Sequence, residues 1–328
     1  MSRQGYLLFS PAQMGPLALA NRLVRSATWD PCILGQRRMT DATLALYRQV
    51  ALGGAGLIIT GGLPVAPADL LDAPASGFEA AAIEGMAALA DVVHQARPDC
   101  KIVAQLECSN LPAGPSAVAS PFWPTPRALT PAEIERIVDC FVQGCARVRQ
   151  WGFDGVQLHA AHGTLLSCFL SPHTNRRDDA YGGSVAQRAR ILREIVAGAR
   201  RLVGDFPILI KMNGTDYMPG GIDLASFPAV AAQVAGCGVD AIEISGGMWD
   251  CLARSEAELG FPPVPIAESH TRVGRPDKES YFLSFAKALK LDIPIILVGG
   301  NRHVERLEDI LREGKADFIA LCRPLLCE

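Results

Sequence analysis

Asp154-Gly-Val-Gln-Leu-His159-Ala-Ala-His162-Gly163 is a short apolar run that stops in two histidines three residues apart, among small residues. Just upstream, Ile134, Ile137, Val138, Phe141, Cys145 and Val148 recur at helical spacing and form one apolar stripe over Pro131–Trp151. Thr130, Pro131 and Glu133 supply an N-cap, a first-turn proline and a capping-box acid, and Gly152 stops the helix. A capped helix running straight into a buried strand is the repeating unit of an α/β fold.

The same unit recurs in both directions. Candidate strands are Arg22–Ser26, Gly56–Thr60, Lys101–Leu106, Gly155–His159, Ile208–Met212, Ala241–Ser245, Ile293–Val298 and Asp317–Leu321. Ser184 and Gln187 mark another capped helix start. Eight strands alternating with helices predict a (β/α)8 TIM barrel, and a doubly wound open sheet is the competing arrangement. No linker or composition break divides the 328 residues, so one domain over 1–328 is expected. The chain stops at Glu328, just after the eighth strand, so the closing helix of such a barrel is expected to be missing. Two long connections, about 107–129 and 246–278, follow strand ends and read as covers over the catalytic face.

The bulk numbers narrow the function classes. Hydrophobic residues make up 49% of the chain, ample for a large core, and a net charge of −3 argues against nucleic acid or an anionic membrane surface. Neither a signal peptide nor a membrane span is apparent, so a soluble, cytoplasmic protein acting on a small molecule is expected, with a homo-oligomer left open. The ten cysteines include no Cys-x-x-Cys pair and read as reduced core residues rather than a disulfide, zinc or iron–sulfur framework.

The strand ends carry a coherent set of side chains. Strand one ends in Ser26-Ala27-Thr28-Trp29 and strand two in Thr60-Gly61-Gly62, which lets a flat ligand approach backbone. Strand three offers Gln105, strand four His159 and His162, and strand five Lys211. Strands seven and eight end in Gly299-Gly300-Asn301 and Cys322-Arg323, the usual place of a barrel phosphate cradle. A phosphate site, an amide for a pyrimidine edge and a cation for charge on a reduced ring together suit flavin mononucleotide (FMN). Two neutral imidazoles can donate to one oxygen and polarise a carbonyl. Blander readings stand beside these: zinc ligands or structural histidines, an ion-paired Lys211, Trp29 packed under the mouth, and a salt-bridged loop at Arg176, Arg177, Asp178 and Asp179.

At these residues the chain resembles the old yellow enzyme family of FMN-dependent NADH or NADPH oxidoreductases. The resemblance is carried by Asn21-Arg-Leu-Val-Arg-Ser-Ala-Thr, Gly56-Leu-Ile-Ile-Thr, Gln105-Leu, Gly152 to Gly163, Phe169-Leu-Ser-Pro, Asn175-Arg, Tyr181-Gly-Gly-Ser and Val298-Gly-Gly, and it runs from about Leu8 onward. It implies non-covalent FMN held by Ala27, Thr28, Gly62, Gln105, His159, Lys211, Gly299, Gly300, Asn301, Cys322 and Arg323. It also implies ping-pong hydride transfer to an activated alkene, with His159, His162 and Trp29 against the substrate. Most relatives carry a proton-donating tyrosine where this chain has Thr164, a far weaker acid, and Glu107-Cys108-Ser109-Asn110 replaces the usual histidine-containing loop. Thr164 therefore marks the catalytic position whose chemistry is altered. Desaturation, isomerisation, or flavin binding without turnover are the alternatives that this change opens.

Overall fold

A computed structural model describes residues 5–28, 39–67, 70, 80–109, 111–260, 273 and 276–327. Trp29 and Asn110 lie outside the described residues. Eight parallel strands close into a barrel: β1 (Leu23–Arg25), β2 (Leu57–Pro64), β3 (Lys101–Glu107), β4 (Gly155–Ala160), β5 (Ile208–Thr215), β6 (Ala241–Gly246), β7 (Ile295–Leu297) and β8 (Phe318–Leu321). Each strand pairs with the next in sequence, and β8 returns to β1 with Ile319 opposite Leu23. The barrel, not the open sheet, is the fold.

Helices flank the strands as their patterns require. The clearest, Pro131–Gln150, has the full capping box of Thr130 and Glu133, and Trp151 takes its C-cap. Ser184 and Gln187 form a second capping box, on Val185–Arg188. β5 runs on past the expected Met212 to Thr215, and β7 and β2 differ from expectation for identifiable reasons. β7 is shorter than the run Ile293–Val298, and Pro294 just before it has no N–H to give a ladder. β2 continues beyond Thr60 through Gly61 and Gly62, with a register shift between Ile59 and Gly62 on β3. Such irregularities at a barrel rim re-aim side chains.

Strand alternation sorts the core into two layers. Ile58, Ile102, Leu158, Ile210, Ile242 and Ile319 face the helices. Val24, Leu57, Ile59, Val103, Leu209, Ala241, Ile296 and Phe318 fill the barrel interior. An N-terminal hairpin, Ala12–Met14 antiparallel to Leu17–Leu19, adds Met14, Leu17 and Leu19 to that inner cluster and closes the barrel floor.

The two long connections meet over the rim. In the first, Ala113–Gly114 pairs with Arg127–Ala128, and Ser120 donates to Asp250 of the second at 2.7 Å. Arg177 ties the first to the loop after β4 by donating to the carbonyls of Pro115 and Leu129, and it pairs with Asp179. Among the described residues, no helix is long and apolar enough to cross a membrane.

Candidate active site

Two residues further along each strand, the apolar interior gives way to a polar layer. Gln105 follows Val103, Lys211 follows Leu209, Glu243 follows Ala241, and Ser26 follows Val24; with Gln157, all are buried. They form one chain of hydrogen bonds. Gln105 Nε2 donates to Gln157 Oε1 at 2.7 Å, and Gln157 Nε2 donates to Glu243 Oε2 at 2.7 Å. Ser26 Oγ donates to Glu243 Oε1 at 2.5 Å, and Lys211 Nζ donates to Ser26 Oγ at 3.0 Å. Lys211 also lies 3.2 Å from Glu243 Oε1. The ion-paired reading of Lys211 is therefore the one that the geometry supports. Its ammonium approaches any ligand already partly neutralised, with two partners beneath it.

Above this layer, β4 delivers His159 directly opposite Lys211 of β5. His162 leaves the strand with φ +61°, a left-handed conformation uncommon for histidine. Two contacts hold it there: its backbone N–H donates to Asn213 Oδ1 at 3.1 Å, and its Nε2 is 2.7 Å from Ser245 Oγ. The rings stand edge to face with centroids 5.0 Å apart. Nδ1 of His159 is buried and has no hydrogen-bond partner. Burial first holds both imidazoles well below the ordinary histidine range; His162 and then the Lys211 charge add to the effect on His159, and Lys211 adds to that on His162. Both are neutral at pH 7. The symmetrical clamp expected from sequence becomes an asymmetric one, with one nitrogen free on His159 and one shared with serine on His162.

Thr164 has a different task from the one its position suggested. Its Oγ1 contacts the carbonyls of His159 at 2.8 Å and Ala161 at 3.0 Å. The hydroxyl thus faces backbone, pins the turn that carries both histidines, and leads into the short helix Leu165–Leu170. Thr164→Val, which keeps the shape and removes the hydroxyl, is expected to cost about 1–3 kcal/mol of stability in a denaturant titration.

Asn301 is similarly occupied. Its Nδ2 donates to the carbonyls of Leu297 at 2.9 Å and Ala320 at 3.0 Å, while its Oδ1 accepts from Ser280. It fastens the ends of β7 and β8 together instead of reaching outward. Gly299 and Gly300 have φ of +108° and +71°, and a Cβ on either would come within 3.0 Å of the Tyr281 ring. Close packing under Tyr281 is thus one reason for glycine at both positions. Cys322 Sγ lies 3.0 Å from Thr28 Oγ1, joining the ends of β8 and β1; Arg323 beside it is exposed. Ala27 packs on the inner core.

Sequence reasoning missed several residues here. Gln157 and Asn213 lie two positions from His159 and Lys211, and Glu243 and Ser245 alternate with Ile242 and Ile244, so strand parity was the available signal. Glu107 was noted only as part of an unusual loop. Its carboxyl packs on Gly62, where a Cβ would lie 2.9 Å from its Cγ and Cδ.

The profile of the NADH:flavin oxidoreductase / NADH oxidase family matches residues 7–328, and the chain belongs to that family, which includes the old yellow enzymes. It is 34% identical over 98% of its length to a metal reductase of Desulforamulus reducens, of which it covers 47%. It is 31% identical over 98% of its length to an NADPH dehydrogenase of Geobacillus thermodenitrificans, covering 91% of that protein. The chain thus spans about half the length of some relatives and nearly all of others. Its fold matches an old yellow enzyme homologue from Zymomonas mobilis with a TM-score of 0.75 at 22% identity, over 97% of this chain and 88% of that one.

Proposed function

We propose that this chain is an FMN-dependent oxidoreductase that takes electrons from NADH or NADPH and reduces an activated alkene, such as an α,β-unsaturated carbonyl. One observation carries the reading: a neutral, buried imidazole at the barrel mouth whose Nδ1 has no partner. A buried polar atom left unsatisfied is costly unless a ligand satisfies it. Here that atom stands above a floor of amides and one ammonium, a donor set that suits a flat, hydrogen-bonding heterocycle and a polar oxygen laid over it. FMN is the flavin of this family.

Ala27, Thr28, Gly62, Gln105 and Lys211 would hold the ring, with Arg323 and the backbone N–H groups of Gly299 and Gly300 on the phosphate. Asn301 and Cys322 would shape that end through the strand contacts described above. Bound FMN supplies two-electron chemistry, accepting hydride from a nicotinamide and giving it to a carbon acceptor. His159 donates to the acceptor's carbonyl oxygen and stabilises the negative charge that develops there. Ser245 and Asn213 fix His162 so that the second ring stays at the same oxygen. Because both imidazoles are neutral, they polarise the carbonyl without losing a proton to it.

The purified protein is expected to be yellow and to release FMN on denaturation. Anaerobic NADH or NADPH should bleach it, and an enone should restore the colour. Colourless protein with no FMN after reconstitution would sink the flavin reading. Bleaching with no reoxidation by any enone would point instead to a flavin protein with another acceptor.

A further inference from the structure

Hydride addition to an alkene leaves a carbon that still needs a proton, and Thr164 has its hydroxyl against backbone carbonyls. Water or another inward-facing side chain at the mouth has to supply the acid. Val103, Gln105 and Glu107 share one face of β3, so Glu107 projects into the barrel one storey above Gln105. On β4, Gln157 lies opposite Gln105 and Leu158 opposite Leu106. One position beyond the last paired residues, Leu106 and Leu158, come Glu107 on β3 and His159 on β4.

The surroundings of Glu107 are those of a carboxylic acid rather than a structural carboxylate. β2 presents Gly62, Leu63 and Pro64 to it, β4 runs alongside as far as Leu158, its own strand continues into Cys108, and Lys211, opposite His159 on β5, is paired with Glu243. Among the described residues packed directly on Glu107, none is a cation. Among the described residues, its one side-chain hydrogen bond comes from Ser109 Oγ, which donates to Oε2 at 2.8 Å, so Oε1 is the oxygen that can carry a proton. Burial pushes the carboxyl above the usual carboxylate range, against the opposing pull of Ser109. The segment is also fixed to the histidine loop, since Leu165 N–H donates to the Cys108 carbonyl at 2.8 Å.

We propose that Glu107 is the catalytic acid, delivering the proton to the alkene's α-carbon while His159 holds the carbonyl oxygen. The proposal rests on the alkene-reductase reading above. The β-carbon gains a hydride, with its electron pair, from the reduced flavin. The alkene π pair shifts onto the α-carbon and carbonyl, and the Glu107 Oε1–H bond breaks as the α-carbon–hydrogen bond forms. The carboxylate left behind takes a proton from water. Net, the alkene gains two electrons and two hydrogens, and NADH or NADPH resupplies the flavin.

The test compares wild type, Glu107→Gln and Glu107→Asp as purified flavoproteins, with fold and flavin content checked by circular dichroism and absorbance. Reoxidation is timed with cyclohex-2-enone, which takes hydride and proton, and with ferricyanide, which takes electrons alone. The enone-to-ferricyanide rate ratio is expected to fall at least about 100-fold in E107Q, as for loss of a general acid, and to recover partly in Glu107→Asp. In wild-type minus E107Q infrared spectra, the carbonyl stretch of a protonated carboxyl should persist to higher pH than for an ordinary glutamate. The wild-type enone rate should decline as that band disappears. An unchanged ratio in E107Q, or no such band in wild type, overturns the proposal alone. Wild-type protein that reduces ferricyanide but no enone overturns the functional reading, and the proposal with it.

Discussion

Lys211→Met is expected to destabilise the folded chain by about 3–5 kcal/mol, as for breaking one side of a buried ion pair. The Lys211 side chain is 6% exposed, and that of its partner Glu243 is fully buried. Removing the ammonium leaves the Glu243 carboxylate inside the barrel with only Ser26 and Gln157 donating to it. Methionine fills nearly the same space, so the loss reports charge rather than packing. Adding Glu243→Gln should restore much of the stability, because the double variant buries no uncompensated charge. Denaturant titration of both single variants and the double closes the cycle. A loss below about 1 kcal/mol in K211M, the scale of an exposed pair, would show that the ion pair does not hold the barrel's upper layer together.

His159→Ala is expected to lower kcat for enone reduction by about 100- to 1,000-fold, the usual consequence of removing one donor to a developing oxyanion. Reoxidation by ferricyanide, which builds no such oxyanion, measures the same variant without that demand. An enone rate within threefold of wild type would remove His159 from the substrate's oxygen. The same residue makes a pH-dependent stability prediction. Its folded-state pKa lies below its unfolded value, so its contribution is present above about pH 6.5, the unfolded histidine value, and is lost as pH falls from there. Comparison of wild type with His159→Gln isolates this histidine from the buried carboxyls, whose raised values act in the opposite sense. Their stability difference should narrow by about 1.4 kcal/mol per pH unit below 6.5 while the folded histidine stays neutral.

The strands were legible because barrel strands are buried on both faces and read as compact β-branched runs. Gly61 and Gly62 looked like a stop, yet β2 passes through them, because an irregular register absorbs glycine where a regular ladder would end. His159 and His162 could be placed by their position at a strand end, and Lys211 as the cation within an apolar strand, although β5 continues past it to Thr215. What hid the rest was partnership between distant segments. Asn301 has the right chemistry for ligand contact, but one of its hydrogen bonds goes to the Ala320 carbonyl, which only the closed barrel brings near, whereas Thr164 turns back onto its own loop, to the carbonyls of His159 and Ala161. Glu243, the partner of Lys211, occupies a neighbouring strand at a position that is polar in sequence and wholly buried in the fold.

The hairpin that packs Met14, Leu17 and Leu19 into the barrel floor has a kinetic consequence. The apolar layer it joins fills the interior from that end, so the polar mouth at the strands' C-terminal ends is the single doorway. On the function proposed above, electron donor and electron acceptor would queue for the same opening, each barring the other while inside. Excess of either is therefore expected to slow the overall cycle, as the doorway is held by the visitor whose turn has passed.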